Sequence, residues 1–308
     1  MPHDHGHHHH HHHVDPESGD ARVAAAVGVN LFLTVAQIVA GLVSGSLAMI
    51  ADAIHNLSDA ASLAIAYVAR KIARRPADAS MTFGYRRAEV VAALINYTTL
   101  VVIGLWLAWE AVARFFAPEP VAGWIVVIVA GIALVVDLAT AALTYAMSKD
   151  SVNIRAAFMH NLADAAGSLA VIVAGVLILL FGWMWVDPAL TLMLSAYILY
   201  MSLSEMPGVI RILMLGSPPQ IEPEEVIAEA RGISGVADVH HAHLWQMDER
   251  RVSLEAHVVV EQGAWDRADA IKADVKARLS ERFGIGHTTL EMECSHHACE
   301  GEQVFGAA

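Results

Sequence analysis

The sequence predicts an α-helical membrane protein with six transmembrane helices and a C-terminal cytoplasmic α+β domain of α-β-β-α-β order. Three observations carry that expectation. The 308 residues are 56% hydrophobic and only 17% charged, whereas a soluble domain carries about a quarter charged residues. Six apolar runs, at residues 22–43, 47–69, 88–113, 121–146, 153–180 and 187–206, each approach the ~20 residues that a bilayer crossing needs. After Gly216-Ser217-Pro218-Pro219 the continuous runs stop and shorter, alternating segments begin.

The formal charge of −13 argues against a nucleic-acid partner, because phosphate binding needs a basic face. Much of that charge lies at one end: residues 217–308 hold 8 Lys/Arg against 17 Asp/Glu. The two cysteines, Cys294 and Cys299, form no disulfide framework.

Taken in order, residues 1–20 hold nine histidines and no apolar core, so a disordered cytoplasmic arm is expected. The run His7 to His13 is tag-like by composition, but the interspersed His3-Asp4-His5-Gly6 reads as a native metal-catching arm. No cleavable signal is expected, since the first apolar run is a full span. Residues 21–215 then form the six-helix domain. Arg70, Lys71, Arg74, Arg75, Arg86 and Arg87 fall between spans two and three, and Lys149 and Arg155 between four and five. The alternate loops carry almost no basic residue, so the positive-inside rule puts both termini in the cytoplasm.

Spans two and five share a phrase: His55-Asn56-Leu57-Ser58-Asp59-Ala60-Ala61 and His160-Asn161-Leu162-Ala163-Asp164-Ala165-Ala166. Positions i and i+4 share a helix face, so each copy points an imidazole and a carboxylate the same way. Facing each other, two copies offer a full tetrahedral ligand set for a divalent ion such as Zn2+. A single buried histidine is usually a hydrogen-bonded core residue. A duplicated ionisable pair in hydrocarbon is a functional site by default, because each such group costs several kcal/mol there. His55 and His160 lie three spans apart, so their helices run in opposite directions, as in inverted repeats that meet at a midplane substrate site. Gly28, Gly41, Gly167 and Gly175 permit close helix approach. Asp52, Asp137, Asn30 and Gln37 either support the site or hydrogen-bond between helices. Arg87 and Glu89 read as interfacial ion-pair partners.

Residues 216–295 form the cytoplasmic domain: a helix over 222–231, strands over 236–247 and 251–261, a helix over 265–283 and a closing strand over 287–293. His240, His241 and His243 crowd the first strand, His257 lies on the second, and His287 and Glu293 on the third. Strict alternation places His241 and His243 on one face and His240 on the other. Two separate roles are therefore possible, with His240, His243, His257, His287 and Glu293 as the candidate metal ligands. The tail, residues 296–308, follows Cys294, and Cys294, His296, His297 and Cys299 make a looser candidate cluster.

With these residues in view, the chain resembles the cation diffusion facilitator family, in its zinc and cobalt efflux branch. The marks are Ser46-Leu47-Ala48 leading into Ala51-Asp52-Ala53-Ile54-His55 and Asp59, Phe83-Gly84-Tyr85-Arg86-Arg87-Ala88-Glu89, the second His160/Asp164 pair, and Val239-His240…His243-Leu244-Trp245…Ala256-His257-Val258. The resemblance implies a homodimer in a bacterial cytoplasmic membrane, with paired ferredoxin-like domains that bind regulatory zinc. Its transport ligands map onto His55, Asp59, His160 and Asp164, and its cytoplasmic ligands onto His240, His257, His287 and Glu293. Two departures matter. Met81 and Tyr85 stand where some members have histidine in the loop between spans two and three, so Asp78 alone makes no site there. The two intramembrane histidines argue against a hard cation such as manganese.

The expected activity is Zn2+/H+ antiport by alternating access. Protons compete with the metal for the imidazoles, and histidine's ordinary pKa near 6.5 suits that exchange. A membrane metalloenzyme would keep an open zinc position beside a general base, and no H-E-x-x-H occurs. A metal sensor that does not transport would show no vesicle accumulation of zinc, and a passive channel would show no saturable, proton-dependent flux. A His2Asp2 set also accepts cobalt, cadmium and nickel.

Overall fold

A computed structural model of the protein describes residues 16–145, 152–296, 298 and 303–305. It contains two compact units, one made of residues up to Leu63 with Val102–Leu199, the other of Ala64–Val101 with residues from Tyr200 onward. Six long helices come first: α1 (Pro16–Ser44), α2 (Leu47–Ala73), α3 (Ala88–Phe116), α4 (Gly123–Tyr145), α5 (Val152–Phe181) and α6 (Val186–Leu213). Among the described residues, the segments Ala88–Phe116, Gly123–Ala142, Asn161–Phe181 and Val186–Leu213 are long and apolar enough to cross a membrane. In α1 the apolar stretch is the shorter Leu31–Ser44, and α2 carries Asp52, His55 and Asp59. Phe32, Val39, Leu42, Trp109, Ile132 and Leu180 stay exposed, which suits segments whose solvent is lipid. Two boundaries differ from expectation. α1 starts at Pro16, inside the arm expected to be disordered, and proline is well tolerated at a first helical position. α6 runs on through Pro207 to Leu213.

In the first unit, the turn between α1 and α2 is held by charges from elsewhere in the chain. Asp187, at the start of α6 and 1% exposed, accepts the Leu47 N–H at 2.9 Å and the Ser46 hydroxyl. Its carboxylate therefore caps the N-terminus of α2, where the unsatisfied N–H groups and the helix dipole favour an anion. Arg114, near the end of α3, donates to the Gly45 carbonyl and pairs with Glu119 at 3.0 Å. Gly45 has φ +75, a conformation that glycine adopts without strain. Trp183 and Trp185, just ahead of Asp187, stack at 5.9 Å between centroids. α4 and α5 cross closely: a Cβ on Gly123 would lie 2.8 Å from the Gly175 carbonyl oxygen. Gly41 is pressed against Ile50 and Gly167 against the Asp52 carboxylate, whereas Gly28 faces open space.

In the second unit, α7 (Pro223–Arg231), β1 (Val236–Gln246), β2 (Val252–Val260), α8 (Ala268–Phe283) and β3 (His287–Cys294) form the expected α-β-β-α-β domain. β2 is the centre of the sheet, antiparallel to β1 and parallel to β3. The parallel pair needs a crossover, and α8 supplies it. Leu254, Ala256, Val258 and Val260 alternate along β2 and bury one sheet face against Val226, Ile271, Val275 and Leu279 of the two helices. The opposite face therefore receives Ser253, Glu255, His257 and Val259.

At the β1–β2 turn Asp248 accepts the backbone N–H groups of Arg250 and Arg251, each at 2.9 Å, and the Arg251 guanidinium at 2.7 Å. Partial burial pushes its pKa up, but these donors outweigh burial and hold it below the ordinary carboxylate value. Arg87 donates to the Met247 carbonyl at 3.0 Å and the Gln246 carbonyl at 3.3 Å. It thus anchors the end of β1 to the start of α3, in place of the expected pairing with Glu89. In the α2–α3 loop, exposed Asp78 accepts from Ser80, Met81 and Tyr85. Those hydrogen bonds, the Ser80 hydroxyl first and the Tyr85 hydroxyl next, draw its pKa well below the ordinary value. Asp78 therefore organises its loop.

Asp187→Ala is expected to lower stability by about 2 kcal/mol, since it removes a cap and leaves buried N–H groups unpaired; thermal unfolding in detergent measures this. Asp248 has a depressed folded pKa, so its stabilisation is complete above the unfolded value near 4 and is lost as pH falls below it. Acid melting curves of the native protein and Asp248→Asn should accordingly differ above pH ~4 and converge below it.

Candidate metal centres

α2 and α5 are antiparallel. Asp187 sits at the start of α2 and only a short turn beyond the end of α5, and Ala48 and Met49 of α2 pack with Val171, Ala174 and Ile178 of α5. This arrangement sets His55 against Asp164, with Nε2 3.7 Å from Oδ1. Ligand atoms around a tetrahedral ion with bonds of 2.0–2.1 Å lie about 3.4 Å apart, so this pair is already near that spacing. The Tyr197 ring meets the His55 imidazole edge-on at 5.8 Å. The other two members of the expected set, Asp59 and His160, have side chains outside the described residues. Around the pair lies a polar network. Gln37 donates to Asp52 at 3.0 Å and Ser168 to Asp137 at 3.1 Å, and all four residues are buried. Asp52 and Asp137 therefore serve hydrogen bonds between helices next to the His55–Asp164 contact.

The second centre is on the open face of the cytoplasmic sheet. His240 is the register partner of His257, so their side chains stand side by side. His257 Nδ1 lies 2.6 Å from Glu293 Oε1, and its Nε2 lies 3.4 Å from Glu291 Oε2. His240 is fully buried, yet neither ring nitrogen has a hydrogen-bond partner. Its Nε2 is 3.3 Å from Glu293 Oε2 without hydrogen-bond geometry. An unsatisfied buried polar atom costs about 1–3 kcal/mol, and a metal ion would relieve that cost by taking a lone pair. Among the described residues, His240, His241 and His257 offer three ring nitrogens within 4.8 Å of one another. That exceeds the ~3.4 Å of a tetrahedral shell, so binding would draw the rings inward. The buried orphaned nitrogens, the three imidazoles and the adjacent carboxylate fit a borderline divalent ion.

This cluster corrects the strand-face expectation. His241 joins His240, and His243 does not. The register runs His240↔His257 and then His243↔Glu255, so two residues of β1 oppose one of β2. That bulge, with His241 at φ 47, breaks the alternation and puts two successive histidines on one face. His243 is exposed, near Glu255 and Phe305. His287 is also exposed and pairs with Ser253, four positions from His257 along β2. At ~3.3 Å per residue that is about 13 Å, so within one chain His287 does not reach the cluster. Cys294 is a free thiol at the end of β3 and His296 is exposed. His297 and Cys299 lie outside the described residues. Sequence reasoning missed the positions of His241 and Glu291. The signal for Glu291 was its alternation with Glu293, and no local residue announces the bulge.

The chain matches the family model of the cation efflux transmembrane domain over residues 23–214 and that of the cation efflux protein cytoplasmic domain over residues 218–295. It is 36% identical over 294 residues to the zinc transporter ZitB of Pectobacterium atrosepticum, covering 93% of this chain and 91% of that protein. It is 34% identical over 262 residues to a cadmium, cobalt and zinc/H(+)-K(+) antiporter of Bacillus velezensis, covering 84% and 83%. The zinc transporter ZitB of Escherichia coli is 33% identical over 290 residues, covering 93% and 91%. A solved structure, the metal-bound C-terminal domain of the CzcD transporter, is 27% identical over 24% of this chain and 99% of its own, with a TM-score of 0.22. Helical membrane body, cytoplasmic sheet domain and matched family models agree, and the chain belongs to the cation diffusion facilitator family, as a divalent metal cation efflux transporter and not an enzyme.

Proposed function

We propose that this transporter exports Zn2+ in exchange for protons through a His2Asp2 site made by His55, Asp59, His160 and Asp164. The observation that carries the reading is the 3.7 Å approach of His55 Nε2 to Asp164 Oδ1, one residue from each copy of the duplicated phrase. In an antiparallel pair, four residues forward on α2 and four back on α5 stay at the same level. That geometry supports Asp59 and His160 as the remaining two ligands.

The mechanism follows from the ligand types. Open to the cytoplasm, the carboxylates and neutral imidazoles accept the ion from its hydration shell. The helices then rock and open the site to the other side. Protons there compete for the imidazoles and release the metal, because a ligand must be deprotonated to bind it. Six spans with both termini cytoplasmic, in a bacterial cytoplasmic membrane, complete this reading. The basic loop between α2 and α3 supports the orientation. The relatives, zinc transporters and an antiporter involving H(+), support the substrate and the counter-ion. On this reading the protein works as a homodimer, and the matched cytoplasmic-domain model has "dimer" in its name. Zinc on His240, His241, His257 and Glu293 would act as a regulatory ion, joining β1, β2 and β3.

In everted vesicles, Asp164→Ala is expected to reduce Zn2+ uptake at least 100-fold while the purified variant keeps its native elution profile. Persistence of uptake would move the pathway elsewhere. Collapsing the pH gradient should slow native uptake at least tenfold, and flux indifferent to the gradient would sink proton coupling.

A further inference from the structure

The bulge in β1 does more than turn His241 onto the metal-facing side. It also turns two consecutive N–H groups, those of His241 and Ala242, away from β2. Both are taken by the end of the chain: the His241 N–H donates to the Gln303 carbonyl at 3.1 Å and the Ala242 N–H to the Val304 carbonyl at 2.9 Å. Phe305 forms a parallel bridge with Ala242, and Val304 packs on the domain core. The last described residues thus bridge the free edge of β1, at the second of the two places where its register with β2 shifts.

The backbone of His241 is the energetic crux. A non-glycine residue at φ 47 is strained and persists only where its surroundings hold it there. Strands prefer regular pairing, and without acceptors on the outer edge those two N–H groups lose their protein partners. In a regular β1, alternation would send His241 to the face opposite His240. The imidazole centroid of His241 instead lies 5.2 Å from that of His240 and 4.9 Å from that of His257. It does so because the backbone conformation that the tail accepts also aims the ring.

We propose that Gln303–Phe305 is a latch that builds the third histidine ligand of the cytoplasmic site, so that docking of the tail and binding of metal are coupled. The inference rests on the reading that His240, His241 and His257 bind a metal ion. Because one backbone conformation serves both events, each strengthens the other by the same factor. Metal drawn onto the three imidazoles holds His241 in place and fastens the tail. An undocked tail frees His241 and leaves a weaker site of His240, His257 and Glu293. The C-terminus then reports metal occupancy at the sheet.

The test uses the full-length chain in detergent carrying Asp164→Ala and with His3, His5 and His7 to His13 changed to asparagine, so that neither the intramembrane ligands nor the N-terminal histidines compete. Zn2+ affinity is measured by chelator competition, and exposure of the tail by the rate at which a carboxypeptidase removes residues 303–308. Zn2+ is expected to slow that removal about tenfold, and His241→Ala to abolish the slowing. A chain ended after Glu302, and the full-length Val304→Asp, should each bind Zn2+ about tenfold more weakly. Adding His241→Ala to either should weaken binding no further. Undiminished affinity in both tail variants, or removal unaffected by Zn2+, overturns the latch while His240→Ala still abolishes binding. If His240→Ala and His257→Ala leave Zn2+ binding intact, the site itself is wrong and the latch falls with it.

Discussion

The membrane unit depends on a carboxylate placed at a helix start. Asp187 belongs to α6 but satisfies the first N–H groups of α2, which have no intrahelical acceptor. In hydrocarbon or at its edge an unpaired N–H is costly, so the start of α2 is pinned to the start of α6. Since α5 ends one short turn earlier, the register of α2 against α5 follows. That register is what sets His55 level with Asp164. Arg114 reinforces the joint from the other side, holding the Gly45 turn with its guanidinium. The few charges between apolar spans at this end act structurally, as a clamp on the end of the bundle whose loops lack the basic clusters.

The two candidate centres are built by opposite means. In the membrane, two helices contribute one residue each to a close contact, and buried Gln37, Ser168, Asp52 and Asp137 hydrogen-bond between helices around it. Repacking of those helices would change the spacing between His55 and Asp164, which is what the proposed alternating access asks of them. In the cytoplasmic domain the candidate ligands stand on a sheet whose other face is a packed core of Val226, Leu254, Val258, Ile271 and Val275. A rigid platform of this kind holds the imidazoles close, and it buries His240 without hydrogen bonds. Strain and unsatisfied groups gather there, at His241 and His240, as they do where a structure awaits a ligand.

Much of the architecture was legible from the chain alone, because hydrophobic periodicity reports burial directly. Continuous apolar runs foretold the long helices. The alternation of Leu254, Ala256, Val258 and Val260 marks the core face of β2, and His257 falls on the other. The duplicated His-Asn-Leu-x-Asp phrase foretold that α2 and α5 would meet, since ionisable groups in a membrane seek one another. Helix ends were less legible: α6 passes Pro207, which local rules treat as a stop.

The sequence by itself thus determined a helical membrane body followed by a small sheet domain, the opposite directions of α2 and α5, and the imidazoles and carboxylates that each element carries. Only the tertiary structure decided which histidines share a face. Alternation is a local rule, and the bulge that breaks it is held by residues far along the chain, at Gln303 and Val304. Likewise only the fold showed Asp187 as a cap and Asp78 as the organiser of its loop. The energy of a hydrogen bond depends on which acceptor arrives, and no local pattern in the chain records that meeting.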